Sequence, residues 1–126
     1  MARIETRTES APAPIAPYSQ AVRIENTIAV AGQAGVDPAT AKVVEPDVAA
    51  QTIQTFKNIE AILHAASASL DDVIRVDVYL TDYADFAEMN AEYAKIFKEP
   101  YPARTTVGVS LPEGLKVEIT VLAVLN

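Results

Sequence analysis

Two residues in the C-terminal quarter of the chain have types and surroundings suited to chemistry. Arg104 follows Tyr101-Pro102-Ala103 at the start of an apolar, threonine-rich stretch, and Glu118 interrupts Val117 and Ile119. An arginine fork matches a carboxylate in two parallel hydrogen bonds. A carboxylate nearby is a candidate proton acceptor for water. Together they suggest hydrolysis of a small carboxylic acid without metal or covalent catalysis. Each residue also has a plainer reading. Arg104 can be a surface arginine in a weak ion pair, and Glu118 can be its structural partner or that of Lys116. Glutamate is disfavoured in strands, which sets Glu118 apart, and desolvation there would raise its pKa.

Other residues are secondary candidates. Tyr18 follows a proline-restrained segment and can donate a hydrogen bond at a site edge or simply pack. Asn90 lies on or beside the apolar stripe of a helix, where asparagine is a poor helix former. His64, the single histidine, falls near a helix C-terminus, where a dipole interaction or a surface position suits it. One histidine supports neither a histidine metal cluster nor a Ser-His-Asp triad. With no cysteine there is no disulfide framework, thiolate nucleophile or thiolate metal site. No metal or cofactor is called for.

The elements that position these residues follow from pattern. Ile4, Thr6 and Thr8 alternate in a short first strand, and Ala11 to Pro17 is extended by its three prolines. Tyr18 to Ile24 and Thr27 to Ala31 form a hairpin around Glu25-Asn26. Gly32 to Val44 reads as loop, without a dinucleotide-binding spacing. Asp47 to Ser67 has helical periodicity, with Asp47 as its cap. Its polar face carries Gln51, Gln54, Lys57, Asn58 and Glu60. Val73 to Leu80 is a half-buried strand. Asp82 caps a second helix from about Tyr83 to Phe97.

The last two strands, Ala103 to Ser110 and Lys116 to Leu125, are expected to form a hairpin. Thr105, Val107 and Val109 on the first, and Val117, Ile119, Val121 and Ala123 on the second, are expected to pack under the helices. Arg104, Thr106, Gly108 and Glu118 then share the other face with Leu122 and Val124. An apolar face away from the helices implies a cover, and another subunit suits a chain this small. The class is α+β, one domain, a mixed β-sheet with two helices on one face.

The chain has 126 residues and a net charge of −7, which opposes binding to a phosphate backbone. No apolar run approaches the roughly 20 residues of a membrane span, and the first residues lack a signal-peptide core. A cytoplasmic protein with neither nucleic-acid nor membrane partners is expected.

With these residues in place, the chain resembles the RidA (YjgF) family of reactive-intermediate deaminases over nearly its whole length. The landmarks are Ala16-Pro17-Tyr18-Ser19-Gln20-Ala21, Gly32-Gln33, Gln51-Thr52 through Asn58-Ile59, Asp82 through Asn90-Ala91-Glu92-Tyr93, Pro102-Ala103-Arg104 and Val117-Glu118-Ile119. The resemblance implies a chorismate-mutase-like α+β fold, related to ferredoxin-like folds, assembled as a homotrimer with sites between subunits. It implies hydrolysis of 2-imino acids and their enamine tautomers, 2-iminobutanoate and 2-iminopropanoate among them, to 2-keto acids and ammonia. Arg104 would bind the carboxylate and Glu118 would activate water. The Gly32 carbonyl would hold the imine nitrogen or water, the Thr106 amide would support the carboxylate, and Tyr18 and Asn90 would line the pocket. Ala16, Ala31, Thr106 and the Gln33–Val36 loop depart from the family pattern and bear on substrate preference and rate. The alternatives are another enamine acid (3-aminoacrylate or 2-aminomuconate), a non-catalytic keto-acid-binding or chaperone-like trimer, or a ribonuclease. The acidic charge and the lack of a histidine pair speak against the last.

Overall fold

The computed structural model describes residues 1–126. Its main sheet has six strands. These are β1 (Ile4–Thr6), β2 (Ala21–Ile24), β3 (Thr27–Ala34), β6 (Val73–Leu80), β7 (Ala103–Gly108) and β8 (Val117–Val124), in the order β1-β2-β3-β8-β6-β7. A two-stranded ribbon, β4 (Val36–Asp37) with β5 (Lys42–Val43), stands apart from it. Helices α1 (Val48–Ala65) and α2 (Phe86–Ile96) complete the chain.

The helices begin where their caps require. The Asp47 side chain accepts from the Ala49 N–H, and Asp82 accepts from the Ala84 N–H at a 3-10 turn, Tyr83–Asp85, that leads into α2. Side-chain acceptors at these positions satisfy N–H groups that the first turn leaves free. Between α1 and β6, Ser69 and Asp72 form a reciprocal capping box around Leu70–Asp72. One core joins the layers: Ile28, Ile119, Val76, Val78 and Leu80 from the sheet, Ile59, Ile62 and Leu63 from α1, and Met89 from α2.

The expected terminal hairpin is not formed. β7 pairs only with β6, in parallel, at the sheet edge, while β8 lies antiparallel between β3 and β6. The cause is two-sided apolarity. Val117, Ile119, Val121 and Ala123 are buried against the helices, and Leu122 and Val124 are half-buried on the other face. A strand greasy on both faces belongs at the centre of a sheet. The threonine-rich β7 tolerates the edge.

The facing of β7 is also the reverse of the expectation. Cross-strand partners share a face. Arg104 pairs with Val76 and Thr106 with Val78, and both valines are fully buried under the helices. Thr105 and Val107 therefore lie on the open face, where both are exposed. Glu118 pairs with Tyr79 and Ala34 on that open face.

The segment expected to be loop from Gly32 onward is partly strand. β3 continues to Ala34 through a bulge, where Ala31 and Gly32 together oppose Thr120. Bulges bend a strand and re-aim its groups.

Candidate functional site

Arg104 sits on the helix side of β7, and α2 supplies its surroundings. Its Nη1 donates to Asn90 Oδ1 at 2.8 Å. Its guanidinium carbon lies 4.5 Å from the Tyr93 ring centre and 5.5 Å from that of Phe86. Phe86, Asn90 and Tyr93 recur at helical spacing, so one stripe of α2 makes an aromatic and amide seat. A cation over such rings gains about 0.5–2 kcal/mol. Tyr93 is itself wedged edge-on against Phe56 and packed on Phe97, which locks the seat. Only one guanidinium nitrogen is hydrogen-bonded, so most of the fork is unengaged. An open cavity of about 350 Å³ adjoins it, lined by Asn90, Tyr93, Ala94, Tyr101, Pro102 and Arg104.

Thr106 lies two residues along the same face. Its buried hydroxyl oxygen has no partner, and neither has the buried Tyr93 hydroxyl. Such orphan polar atoms are uncommon in native interiors. Burial pushes the Tyr93 phenol above its ordinary pKa, and Arg104 partly offsets the rise.

Glu118 belongs to a second locus. The bulge at Gly32 brings the backbone of β3 against its carboxylate. A Cβ added at Gly32 would lie 2.6 Å from Glu118 Oε2. Glu118 takes part in neither ion pair of the chain, which are Arg75–Asp77 and Lys95–Glu92. Burial raises its pKa above the ordinary carboxylate value. Tyr18, about half exposed, lines a cavity of about 410 Å³ that also touches Ala29, Val30 and Ala31, next to Gly32.

The two loci are separate within one chain, contrary to the expectation that Arg104 and Glu118 share a face. They face opposite sides of the sheet. Their partners on β6, Val76 and Tyr79, are three residues apart, and β6 stands between their strands. That is about 10 Å along the strands and about 10 Å across them. The salt bridge between Arg104 and Glu118 is therefore absent. The six expected site residues divide into Asn90, Arg104 and Thr106 on one side and Tyr18, Gly32 and Glu118 on the other.

Phe86 and Tyr93 lie outside the six expected site residues. Their spacing around Asn90 on the face that meets Arg104 is the signal that would have assigned them. No group of three or more histidine, aspartate or glutamate side chains converges, and no helix is long and apolar enough to cross a membrane.

A six-stranded mixed sheet with two helices makes this an α+β protein. Comparison with known proteins agrees. The model of the family described as endoribonuclease L-PSP matches residues 8–125. A RutC family protein of Pyrococcus horikoshii is 51% identical over 92% of this chain and 93% of its own. A protein of the mite Dermatophagoides farinae named 2-iminobutanoate/2-iminopropanoate deaminase is 38% identical over 94% of each chain. Among solved structures, RidA of an Antarctic Psychrobacter species superposes with a TM-score of 0.94 at 44% identity, covering 98% of this chain and 100% of that one. Escherichia coli TdcF with bound serine gives 0.92 at 36% identity, covering 98% and 99%. The chain belongs to the RidA (YjgF) family and has its fold.

Proposed function

We propose that this protein hydrolyses 2-imino acids and their enamine tautomers, such as 2-iminobutanoate and 2-iminopropanoate, to 2-keto acids and ammonia. The observation that carries the reading is the pair of unengaged opposite charges. The Arg104 fork is seated by Asn90 and Tyr93 with donors to spare, and Glu118 is desolvated without an ion-pair partner. The mite relative named for this activity supports it. The relative with bound serine supports a small carboxylate ligand of this size.

The two loci cannot meet on one small substrate inside one chain. The site therefore lies between copies of the chain, with Arg104, Asn90 and Thr106 of one copy facing Tyr18, Gly32 and Glu118 of a neighbour, and the family resemblance makes the assembly a homotrimer. The open sheet face, with Leu122 and Val124 half-buried and Ile74 and Val107 exposed, offers the apolar surface such an assembly covers.

Arg104 holds the carboxylate in its fork, which orients carbon 2. Orientation alone removes a large part of the barrier. Glu118 accepts a proton as water attacks the iminium carbon. A C–O bond forms, and the π pair of the C=N bond moves to nitrogen. Glu118 then returns that proton to the amine. The C–N bond breaks, the hydroxyl oxygen becomes the keto oxygen, and its proton leaves with ammonia as ammonium. The carboxylate enters and leaves the cycle ionised. A raised pKa makes it a better base, in line with matching pKa to working pH.

The test is ammonia and keto-acid release from 2-iminobutanoate generated in the cuvette by a threonine dehydratase. Acceleration by wild type, but not by Arg104→Ala or Glu118→Gln, is expected. Equal parts of the two inactive variants, unfolded and refolded together, should recover about one quarter of the sites if each site draws one residue from each of two copies. No acceleration by folded wild type refutes the activity. No recovery on mixing refutes the shared site.

A further inference from the structure

On the polar face of α1 Lys57 and Glu60 are exposed and Gln54 is half-buried, but the rest is not solvated. Gln51 and Asn58 are fully buried, together with Thr52 and Thr55. The two threonine hydroxyls bond back to the Val48 and Gln51 carbonyls of their own helix. The two amides do something else: they leave the helix and take hold of other segments of the chain. Asn58 Nδ2 donates to the carbonyls of Ala34 at 3.1 Å and Val36 at 2.9 Å. These flank Gly35, whose missing Cβ lets the chain lie on Gln51, since a Cβ there would come within 2.7 Å of Gln51 Cα. Gln51 Oε1 accepts from the Lys116 N–H at 2.8 Å, and its Nε2 donates to the Gly114 carbonyl at 3.0 Å and the Glu45 carbonyl at 3.3 Å. Gln54 Nε2 donates to Asn58 Oδ1 at 2.9 Å and fixes the orientation of that amide.

The two anchored segments frame Glu118. Ala34 is its direct cross-strand partner on β3, two residues after Gly32. Lys116 is the residue before β8, two positions ahead of Glu118. We infer that Asn58 and Gln51 are positioning residues for Glu118. Together these buried amides set where the end of β3 meets the start of β8, and so where the carboxylate stands against the Gly32 bulge. Helix stability alone needs neither bond, because every one of these donors and acceptors other than Gln54 contacts chain outside α1. The inference rests on the assignment of Glu118 as the base.

The experiment separates positioning from scaffolding, using the intact protein. Asn58→Ala should lower kcat roughly 10- to 100-fold, the scale of a displaced catalytic group, with KM, the property of Arg104, within twofold. Carbon-13 NMR of the Glu118 side chain reads the same change without turnover. Its titration midpoint should fall toward that of an ordinary glutamate as water reaches a loosened carboxylate. The other titratable or charged groups near it are Tyr79, Asp77 and Arg75 of β6 and Lys116 just before β8, and none is altered. Ile62→Val, a core change on the same helix, should lower the melting temperature and move neither readout. Should Asn58→Ala fail to fold, Gln54→Ala removes only the bond that orients Asn58 and should shift both readouts in the same direction by less. A variant that melts earlier while kcat and the Glu118 titration stay at wild-type values overturns the inference. If wild type proves inactive on imines, the NMR titration still decides it.

Discussion

Replacing Gly32 by alanine isolates the carboxylate. No positive φ is found at Gly32, so alanine adopts the same backbone without strain and can gain about 0.4–1 kcal/mol by restricting the unfolded chain. The three nearest atoms are the Oε2, Cδ and Cγ of Glu118, at 2.6, 3.0 and 3.3 Å. To restore ordinary contact, Oε2 must withdraw by about 0.8 Å. A misplacement of about 1 Å can cost on the order of 100-fold in rate. Gly32→Ala should therefore lose about 100-fold in kcat for 2-iminobutanoate, with a melting temperature at or slightly above that of wild type. Gly35→Ala is the counterpart, because its Cβ meets backbone rather than a flexible tip, 2.7 Å from Gln51 Cα. Overpacking of that kind costs about 1–3 kcal/mol, so this variant should melt earlier. The assay pairs steady-state turnover with thermal unfolding. Wild-type turnover in Gly32→Ala would refute the reasoning, since it would mean that the Glu118 carboxylate can move without consequence.

Arg104→Lys keeps the charge but loses the planar fork and its flat seat on Tyr93. It should lower kcat/KM about 10- to 100-fold, the scale of a charge-assisted hydrogen bond, as steady-state kinetics will show. Glu118→Gln should abolish turnover while raising stability at neutral pH. Burial raises the Glu118 pKa, so the folded chain holds that proton more tightly than the unfolded one. Its contribution is greatest below the unfolded pKa and declines as pH rises through the folded pKa. The melting advantage of the Gln variant should therefore appear above the folded value and vanish in acid. Leu122→Glu, on the open face beside Arg75, should leave a folded single chain while preventing assembly, measured by sedimentation, with loss of imine hydrolysis.

Much of the fold was legible from local pattern. Helix α1 starts at the expected cap, Asp47, while Asp82 caps the 3-10 turn that precedes α2. Strand β6 alternates as read from Val76 to Leu80, but Ile74 is exposed and Val73 buried across a register irregularity. Arg104 and Glu118 stood out as charges interrupting apolar strands. What pattern could not convey was pairing order. The stretch Arg104-Thr105-Thr106-Val107 has a threonine at either parity, so alternation does not decide its face. The deciding contact is long-range, Arg104 on Tyr93 of α2. Leu122 and Val124 did carry a usable signal. Their apolarity beside the buried face of β8 marks a central strand as much as a subunit interface. The buried amides of α1 were illegible for a related reason, since Asn58 is satisfied by Ala34 and Val36, far away in sequence.

The inversion of β7 has a chemical consequence. Had Arg104 and Glu118 been neighbours within one chain, their attraction would have formed a structural ion pair. That pair would occupy the fork and hold the carboxylate below its ordinary pKa, ending both functions. Opposite faces and an intervening strand keep the guanidinium on its aromatic seat and the carboxylate desolvated and unpaired. In the proposed mechanism assembly of copies supplies proximity, and the substrate's own carboxylate occupies the fork. On that reading Glu118 stays basic when water must lose its proton because the substrate's carboxylate, rather than Glu118, occupies the fork.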